Sequence, residues 1–279
     1  MKHKYMSEDR QFCLTLDLEN DWNFDEPGYD HLVFDYIDEF IELIQSLDVP
    51  LSIFVVGKTI EKFPEEIDKL RNQLDCEFHL HSYSHDLSKR YDFRTEVQHG
   101  KQAYRSHFGR DPTGYRAPQG NIEAGEFRIL EEEGFKFDSS IFPSYRPGVY
   151  QNLGMPLEPY IPAESSELIE FPLGVIRGVR IPLSQSYFKL IGTPLEILFD
   201  FVPLPDICIY NIHLHDLYET DSHDQLPPIK RAIFKRNMDR SENMLRNNIK
   251  SLKSRGYHFT KMSALVTEKL KEYEGKYNI

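Results

Sequence analysis

The sequence predicts an α/β fold in which parallel strands curl into a barrel. Three observations carry that expectation. Short apolar runs of strand length alternate with longer runs of helical period along the 279 residues, and such alternation means parallel strands joined by helical crossovers. The units number about seven, which suits a β/α barrel better than an open sheet. Residues able to do chemistry fall one after another at the ends of the expected strands, where one barrel rim would collect them.

Residues 12–18 read as a buried strand. Residues 31–47 carry Leu32, Val33, Tyr36, Ile37, Phe40, Ile41 and Ile44 at helical spacing. Residues 51–56 form a β-type run closed by Gly57, and 60–74 read as a helix. A short strand is expected over 77–81. The helix predicted over 94–108 is stopped by Gly109 and Pro112. After a turn into 114–116, a helix over 123–133 ends at Gly134, and 136–138 is another short strand. Residues 207–215 make a strong strand, 230–255 a long helix ended by Gly256, and 257–261 a last strand before a helix from about Ser263. Residues 143–182 hold seven of the 17 prolines and little periodicity. They are expected to be a loop or small β excursion over one barrel face, too poor in apolar pattern to fold alone.

Composition narrows the function. Hydrophobic residues at 40% and charged residues at 28% are globular values. Lys+Arg is 33 against 45 Asp+Glu, a net charge of −12. So acidic a chain does not favour nucleic acid or an anionic membrane as partner. Cys13, Cys76 and Cys208 form no CxxC pair, which argues against a disulfide framework or a cysteine zinc site. The polar start and the lack of any apolar run near ~18 residues make a soluble cytoplasmic protein the expectation.

His81-Ser82-Tyr83-Ser84-His85 follows an expected strand and is read as opening a helical turn. Histidines four apart on one helical face can reach one metal, although two surface histidines can share that spacing. Asp17, Glu19 and Asp21, followed by Trp22, crowd the end of the first strand, with Asp17 and Glu19 on one face. Neighbouring carboxylates ionise together cheaply only beside a cation, and a divalent metal would supply one. An N-cap and solvated turn is the plainer alternative. Arg116 beside Pro118 could grip a carboxylate, and Asp138-Ser139-Ser140 ends a short strand as an Asx-type turn would. His213 and His215 share one face of the 207–215 run, where unpartnered histidines are costly.

In that order the motifs resemble the polysaccharide deacetylases of the NodB-homology group, carbohydrate esterase family 4. The resemblance runs from Thr15 to about Leu265 through His81-Ser-Tyr-Ser-His85, Arg116-Ala-Pro-Gln-Gly120, Asp138-Ser-Ser140, His213-Leu-His215 and Gly256-Tyr-His-Phe-Thr-Lys-Met-Ser263. It implies a distorted (β/α)7 barrel, here a single domain over 1–279. It also implies a divalent metal, often zinc with cobalt, manganese or nickel as alternatives, and hydrolysis of an N-acetyl group from an amino sugar.

By position the resemblance makes Asp17 the base, His81 and His85 metal ligands, and Arg116 the residue that orients Asp17. Gln119, through its backbone N–H, would help stabilise the oxyanion, and Trp22 is a candidate substrate contact. His215 would be the acid, held by Asp138. The chain departs from the family where Leu18 replaces a second aspartate, so Glu19 becomes the third ligand with Asp21 its rival. Gln119 stands for a tyrosine and Ser140 for a tryptophan. The last motif leaves His213 as a rival acid. Two other classes remain: a C–N hydrolase acting on a cyclic imide, ureide or similar small amide, and a non-catalytic glycan-binding barrel.

Overall fold

The computed structural model describes residues 10–23 and 28–277; the polar start at residues 1–9 lies outside them. In chain order the elements are β1 (Gln11–Leu18), α1 (Ile37–Leu47), β2 (Leu51–Val55), α2 (Gly57–Lys62), α3 (Pro64–Gln73) and β3 (Cys76–Leu80). Then come α4 (Phe93–Phe108), β4 (Gly114–Tyr115), α5 (Ala124–Glu132) and β5 (Phe137–Asp138). The middle holds β6 (Tyr145–Arg146), β7 (Tyr150–Gln151), β8 (Ile169–Glu170), β9 (Val175–Ile176), β10 (Ile181–Pro182), α6 (Gln185–Ile191) and α7 (Thr193–Phe201). The chain ends with β11 (Ile207–Ile212), α8 (Leu214–Leu217), α9 (Pro228–Phe234), α10 (Ser241–Ser254), β12 (His258–Phe259) and α11 (Met262–Tyr277).

The main sheet is parallel and runs β11-β1-β2-β3-β4-β5-β8, with β12 also pairing β1. Every residue of β2 and β11 is buried, as expected of a parallel sheet covered on both faces. Strand alternation sorts the two faces. Phe12, Leu14, Leu16 and Leu18 pack with Phe40, Ile41 and Ile44 of α1 in the outer layer. Cys13 joins Phe54, Phe137, Ile209 and Leu265 in a separate cluster. Phe54 on β2 and Phe137 on β5 have ring centroids 6.2 Å apart although two strands lie between theirs. Only a curled sheet brings them together, and α11 plugs the inside of that curl. Asp17 has the parity of Cys13 and so faces the inside near the strand's C-terminal end.

The curl is laced shut by single backbone bonds. Gly174 N–H donates to the Ile209 carbonyl (2.8 Å), Leu183 N–H to Gly174 (2.8 Å), and Asn211 N–H to Leu183 (3.1 Å). A Cβ on Gly174 would stand 2.9 Å from the Ile209 oxygen, so the close approach needs glycine. This is the distorted barrel that the motifs imply.

Several elements differ from expectation. The 60–74 helix is two helices, because Pro64 lacks an N–H and starts α3 afresh. The 230–255 helix breaks at Asn237, whose φ is +52°. Residues 31–47 begin as a 3₁₀ turn over Leu32–Tyr36 before α1. The proline-rich stretch is more than an excursion: β8 lies within it and pairs β5 in the main sheet, flanked by the β6–β7 and β9–β10 hairpins. No helix among the described residues is long and apolar enough to cross a membrane.

Candidate active site

Asp17 is the most constrained side chain on the rim. Arg116 Nη1 donates to its Oδ1 at 2.6 Å and Asn211 Nδ2 to its Oδ2 at 3.0 Å. His81 Nε2 and His213 Nε2 face Oδ2 at 3.9 and 3.7 Å. Burial opposes ionisation, but Arg116, His81 and His213 together hold the carboxyl below its usual range. Arg116 is itself locked. It donates to Thr15 Oγ1 (2.9 Å), to Asn211 Oδ1 (3.1 Å) and to the Ser139 carbonyl (2.9 Å), and its guanidinium lies 3.9 Å from the Phe54 ring centroid.

His81 and His85 meet Glu19, though not from a helix. Residues 81–85 are irregular, with φ of +58° at Ser82 and +56° at His85. Glu96 on α4 fixes this loop by accepting the N–H groups of Tyr83 (3.0 Å) and Ser84 (2.6 Å). His81 Nδ1 must donate to the Arg116 carbonyl at 2.8 Å, which leaves Nε2 with a free lone pair. Burial pushes His81 down to about 4, favouring the neutral ring. His85 Nε2 lies 2.9 Å from Glu19 Oε2. Burial works against the Glu19 anion, yet His85 holds it well below the usual range.

The donor atoms of Glu19, His81 and His85 lie within 4.8 Å of one another, and all three residues are buried. Two imidazoles and a carboxylate fit a divalent metal such as zinc, and a tautomer fixed by the protein is what a ligating histidine needs. Glu19, His213 and His215 form a second set within the same distance. In it the His215 ring packs on Trp22, with centroids 4.0 Å apart.

The structure corrects three placements. Asp138 does not hold His215: its oxygens accept Ser140 Oγ (2.7 Å) and Ser140 N–H (3.0 Å), and it pairs with the buried Glu170. Ser140 Oγ in turn accepts the Ala117 N–H at 2.7 Å, so Asp138 props the Arg116–Gly120 turn. The histidine held by a carboxylate is His213, whose Nδ1 donates to Asp216 Oδ2 at 2.9 Å. Burial alone would lower His213, but Asp216, Asp17 and Glu19 raise it to about 9. Burial and the neighbouring His213 push His215 down to about 3. Asp21 is no rival ligand, because it accepts the Val33 N–H (2.7 Å) and the hydroxyls of Thr220 (3.0 Å) and Ser222 (2.6 Å).

Gln119 is exposed on the Pro118–Gly120 3₁₀ turn with φ +53°, and its N–H has no acceptor among the described residues. Trp22 is half-buried, its indole N–H without a partner among the described residues. It lines an open cleft of about 450 Å³ with Asn20, Lys58, Ser84, His85 and Asp86.

Sequence reasoning missed Asn211, Glu96 and Asp216. Asn211 has the parity of His213 and could have been found. Glu96 could not, since nothing local ties a helical glutamate to a loop upstream of it.

Residues 24–137 match the family model "Polysaccharide deacetylase", a span that includes His81, His85 and Arg116. Comparison with curated protein sequences gives no match. Among solved structures, a polysaccharide deacetylase-type protein from Mycobacterium smegmatis is 18% identical, with 98% of this chain and 94% of that one covered at a TM-score of 0.61. A probable polysaccharide deacetylase from Pseudomonas aeruginosa PAO1 is 16% identical, covering 94% and 92% at 0.59. PuuE allantoinase is 15% identical, covering 94% and 91% at 0.59. At such identities the likeness is one of fold.

Proposed function

We propose that this chain, whose residues 24–137 match the polysaccharide deacetylase model, is a metal-dependent amide hydrolase that frees acetate from an N-acetylated amino sugar. One observation carries the reading. Asp17, gripped by Arg116 and Asn211, stands between His81 and His213 beside the Glu19–His81–His85 donor set. A divalent metal there, zinc as the first choice, would acidify water and polarise the amide carbonyl.

Asp17 takes the proton of the attacking water as the new C–O bond forms, with Arg116 and Asn211 keeping its oxygens aimed. The Gln119 N–H donates to the developing oxyanion. His213, anchored through Nδ1 to Asp216, gives its Nε2 proton to the amine nitrogen as the C–N bond breaks. This choice of His213 over His215 rests on where the rings point: one faces Asp17 and Glu19, the other packs on Trp22. The whole chain is read as one such domain, with the hairpins of residues 143–182 as a substrate wall.

The test is acetate release from N-acetylglucosamine oligomers by purified protein, with and without added zinc. Zinc-dependent release supports the reading. A second reading, hydrolysis of a cyclic ureide or imide, is favoured by the spaced acids Asp17 and Glu19 and by the fold shared with an allantoinase. Turnover of allantoin or a related ring without acetate release from any sugar would establish it instead.

A further inference from the structure

Behind His213 lies a set of buried groups that the reaction does not touch. Asp216 is fully buried, and His213 is only one of its partners. Ser186 Oγ lies 2.9 and 2.7 Å from its two oxygens. Lys189 Nζ lies 3.7 Å from Oδ1, with the lysine 1% exposed and the Met238 thioether 3.5 Å from the same nitrogen. Ser186 and Lys189 stand three residues apart on α6, so one helical face presents both to the same carboxylate. A lysine is rarely buried unless a counter-charge holds it, and breaking such a pair leaves an uncompensated charge inside the protein.

We propose that Lys189 and Ser186 are positioning residues for the acid step, acting through Asp216 on His213. The inference rests on the reading of His213 as acid. When His213 passes its Nε2 proton to the departing amine, the ring becomes neutral and Asp216 loses its cationic partner. Lys189 then remains beside the carboxylate, and the Ser186 hydroxyl keeps it aimed at Nδ1. The tautomer with hydrogen on Nδ1 is thereby retained and Nε2 stays free to be reprotonated. None of these groups needs to reach the substrate.

The experiment compares two leaving groups. Expelling a sugar amine needs the acid, whereas expelling 4-nitrophenolate from 4-nitrophenyl acetate does not. Lys189→Met should lower kcat for N-acetylglucosamine oligomers about 10–100-fold with KM and metal content unchanged, and should leave ester turnover within about 2-fold. Ser186→Ala, which removes only a hydroxyl, should show the same split more weakly and decides the matter if Lys189→Met does not fold. Equal losses on amide and ester, or no loss in either variant, would overturn the proposal. His213→Gln is the control. If it leaves amide turnover intact, the acid assignment itself fails; if it alone shows the split, the α6 residues have no positioning role.

Discussion

His81 and His85 stand four residues apart after β3, His213 and His215 two apart after β11, and the chain holds the two pairs by different means. The first pair works as a unit. Its loop is fixed from behind by Glu96, one ring by the Arg116 carbonyl, and both rings converge on Glu19. The second pair is divided. The rings stack 4.7 Å apart, but Asp216 holds only His213, and Trp22 and Phe234 cover His215. Two histidine pairs that look alike in the sequence therefore stand in unequal surroundings. What separates them is the partner each nitrogen finds.

Breaking the first pair should have the largest effect. A His81→Ala/His85→Ala double variant should lose its bound metal, read by elemental analysis, and its turnover should fall to background while circular dichroism stays native. Within the second pair, His213→Gln should cost about 10²–10⁴-fold in kcat with metal retained. His215→Gln should cost less than about 10-fold and act through packing on Trp22. Reversal of those two outcomes would exchange their roles. Glu96→Gln sharpens the contrast, because the loosened 81–85 loop should weaken metal affinity about 10–100-fold without touching His213.

Smaller effects come from acids that the site does not use. Asp21→Ala should lower stability by about 1–3 kcal/mol in denaturant unfolding by leaving buried donors unpaired, with metal stoichiometry unchanged. Glu170 supplies the pH test. Burial and the neighbouring Asp138 raise it well above 4.5, so the folded chain keeps a proton that the unfolded chain gives up. Its stabilising contribution is full below the unfolded value and is lost as pH rises through the folded one. The Tm of Glu170→Gln relative to the parent should therefore climb as the pH rises above about 4.5, and a flat difference would refute a proton held on Glu170 in the folded chain.

Much of this was legible beforehand. The strands that carry Asp17 and Asp138, and those that His81, Arg116 and His213 directly follow, fall close to where they were expected, although the 207–215 strand stops at Ile212 and puts His215 in α8; strand parity put Asp17 and Glu19 on one side. The helical reading of 81–85 failed because left-handed residues at Ser82 and His85 leave no trace in periodicity. The pairing of Asp138 with His215 failed because two carboxylates near the rim cannot be told apart without three-dimensional distances. β8 was hidden because two residues in a proline-rich stretch show no period.

Asn211 ties two of these matters together. Its backbone N–H closes the seam on Leu183, and its side chain grips Asp17. The seam rests on single bonds around Gly174, so it belongs among the places where the barrel opens first. Each such breath would free Asp17 from one of the two side chains that grip it. Turnover should then fade at temperatures or urea concentrations where the fold as a whole still stands, and amide exchange at Asn211 should quicken in step with the loss.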